Sequence, residues 1–172
     1  MVNDRVMNSK LSDDMPDDLS QSPKLPNEGC LAGIDFGTVR VGVAICDATQ
    51  SIASPLETYN RRTESKDAEY FKRLVADYRV VGFVLGLPLH MSGDESQKSQ
   101  EARAFGAWLV GLTDLPIGWV DERYSTRFAN DLLKDSNLSP KKRKAKLDKV
   151  AAHAILSAYL ESGSDTDAAP IE

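Results

Sequence analysis

The chain has 172 residues, of which 41% are hydrophobic, and this is enough to build one domain with a buried core. Its formal net charge is −5, but the acidic excess lies at the two ends, since residues 1–28 carry six acidic and three basic side chains and residues 163–172 carry three acidic and no basic ones. Residues 29–162 keep 18 basic and 17 acidic side chains, so the net charge does not exclude a nucleic acid as the partner.

The two end segments differ from the middle in composition. Residues 1–28 mix Asp, Ser, Asn and Pro with few large apolar side chains, and residues 163–172 are similar, which predicts a disordered leader, a folded domain over 29–162 and a disordered tail. The N-terminus lacks an apolar signal core, and no apolar run approaches the ~20 residues that a membrane span needs. We therefore expect a cytoplasmic protein without membrane contact.

Apolar patterns predict alternating strands and helices within residues 29–162. Two β-rich runs on either side of Thr38 predict a hairpin with Gly37 in its turn, and Pro55 places the next strand at a sheet edge or a bulge. The continuous apolar run at 80–87 is typical of a central strand that is covered on both faces. In chain order, the predicted elements are strands at 30–37, 40–47 and 51–58, a helix at 65–79, a strand at 80–87, a helix at 96–112, a strand at 116–122, a helix at 125–134, a basic loop at 135–146 and a helix at 147–162.

This order of elements predicts the fold class. Three antiparallel strands followed by β-α-β units imply an α/β fold, with a mixed five-stranded sheet flanked by helices. In such a sheet, functional side chains gather at the strand ends and at the starts of neighbouring helices.

Three carboxylates lie in or at the ends of apolar stretches: Asp35, Glu122 and Asp148. Burying such a charge is unfavourable unless it is paired or bound to a metal ion. Carboxylates from separate segments are the ligands that hard cations such as Mg²⁺ and Mn²⁺ require. Two cations roughly 3.5–4 Å apart could activate a water and stabilise the leaving oxygen of a phosphodiester. The three acids therefore predict a metal-dependent phosphodiesterase with a two-metal site.

Each acid also has a simpler interpretation. An Asp at a helix start, such as Asp148, is most often a favourable charge near the helix dipole. Asp121 is a rival to Glu122, because neighbouring side chains in a strand point to opposite faces and only one of the two can reach the metals. Spacing along the chain does not decide between them.

Basic and glycine-rich segments near these acids are candidates for substrate contact. A run of six basic residues within nine positions surrounds Asp148 and predicts phosphate contacts, although a charge run is usually a solvated loop. Arg40 and Arg123 are further candidates, which could instead pair with neighbouring acids. Backbone N–H groups at two loops could bind an anion, or the loops could be plain connections. The substrate-binding candidates are Arg40, Arg123, Lys142, Arg143, Lys144 and Lys149, and the phosphate-loop candidates are Gly37, Thr38, Gly86 and Pro88.

Four fragments together resemble the signature blocks of the YqgF/RuvX family. In the order of that family, the blocks are GIDFGTVRVGVA at 33–44, GLPL at 86–89, DER at 121–123 and KRKAKLDKVAA at 142–152. The resemblance implies an RNase H-like fold and a nuclease that depends on a divalent metal, and it gives the acidic metal-binding positions to Asp35, Glu122 and Asp148. The chain departs from the family pattern at 90–92, where His-Met-Ser replaces an Asn-Met-Asp-like run, and at Tyr124, which replaces a common aliphatic residue.

The resemblance also implies two kinds of substrate. Members of the family are regarded as nucleases that mature the 5′ end of precursor 16S rRNA in ribosome biogenesis, or as Holliday junction resolvases. The expected partner is therefore structured RNA or branched DNA, and symmetric cleavage of a junction would require a homodimer with two active sites.

Two other functions remain open on the sequence. The run from Asp35 to Thr38 also looks like the first phosphate loop of the actin and sugar-kinase superfamily, although those proteins normally enclose a nucleotide between two such domains. A non-catalytic RNA-binding module is the other alternative, but a degenerate domain would often have lost one of the three acids.

Overall fold

The computed structural model describes residues 24–90, 92–123, 137 and 139–162. These residues form an α/β domain in which five strands make one mixed sheet, which confirms the predicted fold class. The predicted helix at 125–134 lies outside the described residues. In chain order, the elements are β1 (Cys30–Asp35), β2 (Arg40–Cys46), β3 (Ala53–Asn60), α1 (Glu64–Tyr78), β4 (Val80–Leu87), α2 (Gln97–Thr113), β5 (Ile117–Asp121) and α3 (Pro140–Ser162).

The strands lie in the order β3-β2-β1-β4-β5. β1 pairs antiparallel with β2 and parallel with β4, β2 pairs antiparallel with β3, and β4 pairs parallel with β5. The edge strand β3 contains Pro55, and the register of its pairing with β2 shifts between Val43 and Ala44. The structure thus places this proline on an edge strand beside an irregularity, a kind of position at which a residue without an N–H is tolerated.

The two faces of the sheet are covered by different helices. On one face, Ala32 and Ile34 of β1 pack in a core cluster with Phe71 of α1 and Phe105 of α2. On the other face, Leu31 belongs to a second cluster with Val84, Val120 and several residues of α3. Because side chains alternate along a strand, Asp35 shares the α3 face with Leu31, and Glu122 shares it with Val120.

Glycines on β1 and β2 let α3 rest on the sheet backbone. A Cβ atom added to Gly33 would lie 2.7 Å from the Cβ of Leu156, and one added to Gly42 would lie 2.0 Å from the carbonyl oxygen of Asp148. Neither site has room for a side chain, since real Cβ contacts do not approach so closely. Ala152 is fully buried on the helix side of this contact. Small residues on both partners therefore set the position of Asp148 over the sheet.

The start of α3 corrects the sequence prediction. The sequence predicts a basic loop over 135–146 and a helix from 147, but α3 already begins at Pro140. Ser139 precedes it as a cap, with its Oγ accepting from the N–H of Lys142 at 3.4 Å and its carbonyl accepting from the N–H of Arg143 at 2.8 Å. Proline at the first helical position has no N–H to leave unsatisfied, and lysine and arginine are good helix formers. The basic run is therefore compatible with helix, and the prediction of a loop was wrong for residues 140–146.

The packed body includes Leu25, which the sequence analysis assigned to the leader. Leu25 is only 8% exposed and belongs to the cluster on the α3 face. Its side chain covers Gly82 and Gly118, where added Cβ atoms would lie 2.5 and 2.7 Å from its methyl carbons. The other bounds of the predicted domain division stay predictions. Among the described residues, no helix has the length and apolar character that crossing a membrane requires.

Because Gly42 contacts α3 so closely, we expect a methyl group added at this position to destabilise the protein. Gly42→Ala would drive a Cβ into the carbonyl oxygen of Asp148, and we expect it to lower the free energy of unfolding by about 2–3 kcal/mol, as overpacked sites do. Gly111→Ala is the matched control, because nothing lies within 4 Å of its Cβ position. Inside a helix the same exchange should raise stability by about 0.5–1 kcal/mol. Urea unfolding of both variants measures the difference, and equal stability of Gly42→Ala and the parent would refute the close contact.

Candidate active site

Asp35 and Asp148 line one open pocket of about 240 Å³. Asp35 is the last residue of β1, and the loop to Arg40 forms the rest of the wall together with Asp148 from the third turn of α3. Two of the three carboxylates that the sequence singled out, more than one hundred residues apart along the chain, are therefore brought together.

Glu122 approaches the same place from the other side of β4. It directly follows β5, and an added Cβ on Gly86 would lie 2.4 Å from its Oε1. Gly86 lies in β4 between β1 and β5, one residue beyond the pair Ile34 and Leu85 and therefore level with Asp35. The Glu122 side chain thus crosses the bare backbone of β4 on the α3 face, toward Asp35.

The structure distinguishes Asp121 from Glu122. The carboxylate of Asp121 accepts from the Nε of Arg123 at 2.8 Å and from the backbone N–H of Arg123 at 3.0 Å. Burial pushes the pKa of Asp121 upward, but these hydrogen bonds and the nearby guanidinium outweigh it and hold the pKa below its usual value. Asp121 is therefore satisfied by Arg123, while Glu122 carries the charge on the face of Asp35 and Asp148.

The other two acids both act on Asp35 through their charge. Burial raises the pKa of Asp35, and the charges of Glu122 and Asp148 raise it further, to about 8. Burial also raises the pKa of Glu122, with a further contribution from Asp121, and Lys98 at the start of α2 opposes the shift. A buried carboxylate that two further carboxylates repel suits a hard divalent cation, which would offset both the burial and the repulsion at Asp35.

The described side chains do not form a ready-made metal cage. Over residues 24–90, 92–123, 137 and 139–162, no group of three or more His, Cys, Asp or Glu residues is arranged to hold a metal ion. At Asp148, Oδ2 lies 2.9 Å from the Nε of Arg40. Both atoms are buried, and the N–H of Arg40 is not aligned for a hydrogen bond to Oδ2. The chemistry of the donors therefore fits a cation, but the cation would need Asp148 to release Arg40.

Arg61 and Asp67 support the loop that follows Asp35, and the sequence did not predict this role. The N–H of Arg61 donates to the carbonyl of Val39 at 2.9 Å, and its guanidinium lies 5.4 Å from the ring centre of Phe36. Asp67 of α1 is 1% exposed and accepts from the Nε of Arg61 at 3.1 Å and from the hydroxyl of Tyr59 at 2.9 Å. A signal was present in the sequence, because Asp67 interrupts the apolar stripe that continues at Phe71. A buried acid on such a stripe needs a cationic partner.

The predicted substrate contacts divide into paired and exposed groups. Arg40 pairs with Asp148 and Arg123 pairs with Asp121, which is the alternative that the sequence left open. The exposed bases lie on the first turns of α3, leading to Asp148, while Lys149 is half-buried. These α3 bases are Lys141, Lys142, Arg143, Lys144 and Lys146.

The four phosphate-loop candidates differ in whether they line the pocket. Gly37 and Thr38 line the pocket, so their backbone is open to a ligand there. Gly86 is buried beneath Glu122, and Pro88 uses its carbonyl to accept from the Oγ of Ser96 at 3.2 Å. Gly86 therefore serves the approach of Glu122 and is not open to a phosphate.

Comparisons with known proteins agree with this geometry. A sequence model of the family described as "RuvX: Holliday junction resolvase" matches residues 29–162. A Rhodopirellula baltica protein named "Putative pre-16S rRNA nuclease" is 46% identical over 137 residues, which is 80% of this chain and 79% of that protein. A Cereibacter sphaeroides protein of the same name is 44% identical, over 80% of this chain and 86% of that protein.

The solved structures give the fold. RuvC of Thermus thermophilus in complex with a Holliday junction substrate superposes with a TM-score of 0.51 at 12% identity, covering 79% of this chain and 97% of that one. At this identity the likeness establishes the fold alone, and it confirms the RNase H-like architecture.

The raised pKa of Asp35 predicts a stability that falls with pH. An aspartate in the unfolded chain has a pKa near ~3.9, whereas Asp35 in the folded protein holds its proton up to about 8. The unfolded state therefore releases this proton first, and the folded protein loses stability as the pH rises from about 4 to 8. Asparagine does not ionise, so Asp35→Asn should not lose stability in this way. In EDTA, its free energy of unfolding should exceed that of the parent by about 1–3 kcal/mol at pH 8 and by little at pH 4.

Urea unfolding at pH 4.5, 6 and 8 measures this difference. Asp77→Asn, at an exposed position of α1 outside the pocket, is the control and should show little change with pH. A stability difference for Asp35→Asn that is the same at all three pH values would contradict the raised pKa.

Proposed function

The chain belongs to the RuvX family of Holliday junction resolvases, and we propose that it is a nuclease whose divalent cations are held by Asp35, Glu122 and Asp148. The observation that supports the proposal is that Asp35 and Asp148, from β1 and α3, line one open pocket, and that the charge of Glu122, just after β5, also acts on Asp35. Their separate origins along the chain argue against a local role such as a helix cap or a turn.

Each part of the pocket would have a distinct task in phosphodiester hydrolysis. When bound, the cations would activate the attacking water and stabilise the leaving oxygen. Asp35 is fixed at the end of β1 by the contacts of Arg61 to Phe36 and Val39. Asp148 is fixed by the contact of its backbone with Gly42. The exposed bases on the first turns of α3 would bind the phosphates that flank the scissile bond, giving affinity without sequence information.

The physiological substrate that we propose is the precursor of 16S rRNA, cleaved near its 5′ end. Support comes from relatives of 46% and 44% identity, which carry pre-16S rRNA nuclease in their names and match 80% of this chain. Structured RNA would suit an open pocket beside a basic helix, because phosphate contacts to the helix would supply much of the affinity.

Branched DNA is the second candidate. It is favoured by the description of the matching family as a Holliday junction resolvase. Cleavage of a four-way junction on two strands would need two active sites, and hence a homodimer. Incubation of the protein with Mn²⁺ and either a 16S precursor fragment or a four-way junction separates the two candidates.

Substitution of the carboxylates tests the proposed metal ligands. Asp35→Asn and Glu122→Gln should each lower kcat/KM for the cleaved substrate by about 100-fold or more, because each loses a cation ligand but keeps its shape. Asp121→Asn is the matched control and should stay within about tenfold of the parent, since Asp121 is paired with Arg123 outside the metal set. EDTA should stop the reaction and Mn²⁺ restore it. Parent-like activity of Asp35→Asn would remove that residue from the reaction, and a larger loss for Asp121→Asn than for Glu122→Gln would exchange their roles.

The salt dependence of binding tests the basic turns of α3. Changing Lys142, Arg143 and Lys144 together to Gln should reduce the slope of log K against log salt by about 2–3, since each phosphate contact contributes about 0.7–0.9. The control changes three exposed bases of α1, namely Lys66, Lys72 and Arg73, in the same way and should leave the slope unchanged. The measurement is fluorescence anisotropy of a labelled substrate in Ca²⁺ at several salt concentrations. An unaltered slope in the α3 variant would exclude these side chains as phosphate contacts.

A further inference from the structure

We propose that Arg40 competes with the cation for Asp148, and that a bound cation releases its guanidinium to hold a substrate phosphate. The inference rests on the proposed function, because it concerns the same carboxylate and the same pocket. It goes beyond the phosphate contact that the sequence predicts for Arg40, because it couples that contact to the binding of the cation.

The contact between Arg40 and Asp148 is unlike the other buried ion pairs of the described chain. Arg61 donates its Nε to Asp67 at 3.1 Å, and Arg123 donates its Nε to Asp121 at 2.8 Å, both in hydrogen-bonding geometry. The Nε of Arg40 also lies within 2.9 Å of Asp148, but its N–H is not aimed at the oxygen. Both atoms are buried, so each gives up water without gaining a well-formed hydrogen bond.

Such a pair is easier to open than the two structural pairs. A buried polar atom without a hydrogen-bond partner is unfavourable, by an amount comparable to a lost hydrogen bond. A hard cation at Asp148 would satisfy the carboxylate oxygen directly, since carboxylate oxygens are its preferred ligands. The Arg40 side chain is then free to make hydrogen bonds that it does not make with Asp148.

The two partners differ in their freedom to move. The backbone of Asp148 is pressed against Gly42, with its carbonyl oxygen 2.0 Å from where a Cβ would stand, so α3 cannot carry the carboxylate away. Arg40 reaches the pocket on a long side chain from the first residue of β2. When a cation replaces Arg40 at Asp148, the guanidinium therefore moves and the carboxylate stays in place.

A released guanidinium stays in the pocket wall. Arg40, Thr38 and Asp35 line the same pocket, so the guanidinium can turn from Asp148 to a ligand that enters there. Guanidinium groups bind phosphate oxygens through two parallel N–H donors, which suits the ester group that the carboxylates face. Cation binding and phosphate binding would thus be coupled through one side chain.

Opposite changes in two affinities test this coupling. In Arg40→Gln, the Kd for Mn²⁺, measured by electron paramagnetic resonance of the free ion, should fall about tenfold or more, because the competing positive charge is gone. The KM for the cleaved nucleic acid, at saturating Mn²⁺, should rise by about tenfold, because a phosphate contact is lost. A purely structural role would weaken both affinities together. Arg73→Gln, an exposed arginine of α1 that pairs with Glu69, is the matched control and should change neither value.

Asp148→Asn separates a failure of this inference from a failure of the proposed function. If Asp148→Asn weakens Mn²⁺ binding but Arg40→Gln does not strengthen it, the metal ligand stands and the competition is overturned. If Asp148→Asn leaves the Kd for Mn²⁺ unchanged, both the ligand and the competition are wrong. Tighter Mn²⁺ binding with an unchanged KM in Arg40→Gln would overturn the release to phosphate.

A second variant keeps the test valid if Arg40→Gln does not fold, as judged by thermal unfolding. Arg40→Lys retains a positive charge beside Asp148, so its Kd for Mn²⁺ should stay within about threefold of the parent. Its KM should still rise, because an ammonium cannot form the paired contact with a phosphate. A lysine variant that binds Mn²⁺ tenfold more tightly than the parent would contradict competition by charge.

Discussion

Close packing on a strip of sheet without side chains is the constraint on which the site depends. Gly33, Gly42 and Gly86 lie on three adjacent strands, and added Cβ atoms there would meet α3 or Glu122 at 2.7, 2.0 and 2.4 Å. Without this bare strip, α3 would stand further from the sheet and Glu122 could not cross β4. The glycines therefore allow Glu122 and Asp148, both distant from Asp35 in sequence, to act on Asp35 through their charge.

That group of charges is unstable by itself, and the surrounding residues compensate for it in different ways. The pKa of Asp35 rises to about 8, so that the protein keeps one carboxyl neutral near neutral pH rather than hold three negative charges together. Asp148 forms an ion pair with the guanidinium of Arg40. On the other face of the sheet, Arg61 holds the loop after Asp35 through Phe36 and Val39, and is itself held by the buried Asp67. Charge repulsion and its local relief thus shape the pocket before any ligand enters.

Much of the fold could be predicted from the sequence, because strand alternation and helical periodicity are local signals. The edge position of Pro55 and the central position of β4 followed from proline chemistry and from a continuous apolar run. The start of α3 was missed because the charge run suggested a loop, although Ser139 and Pro140 carried a capping signal. The pairings of Arg40 with Asp148 and of Arg61 with Asp67 could not be chosen in advance, since each arginine had several acids within reach and only the folded backbone selects one.

The family and its named relatives support a nuclease, while the central physical proposal is that the three carboxylates together bind divalent cations. Crystals of the protein soaked in Mn²⁺ and measured at the manganese absorption edge test this most directly. We expect an anomalous peak within about 2.0–2.6 Å of carboxylate oxygens of Asp35 and Asp148, with Glu122 facing the same cluster. Soaked crystals with no manganese peak in the pocket, or with manganese bound only to other acids, would contradict it.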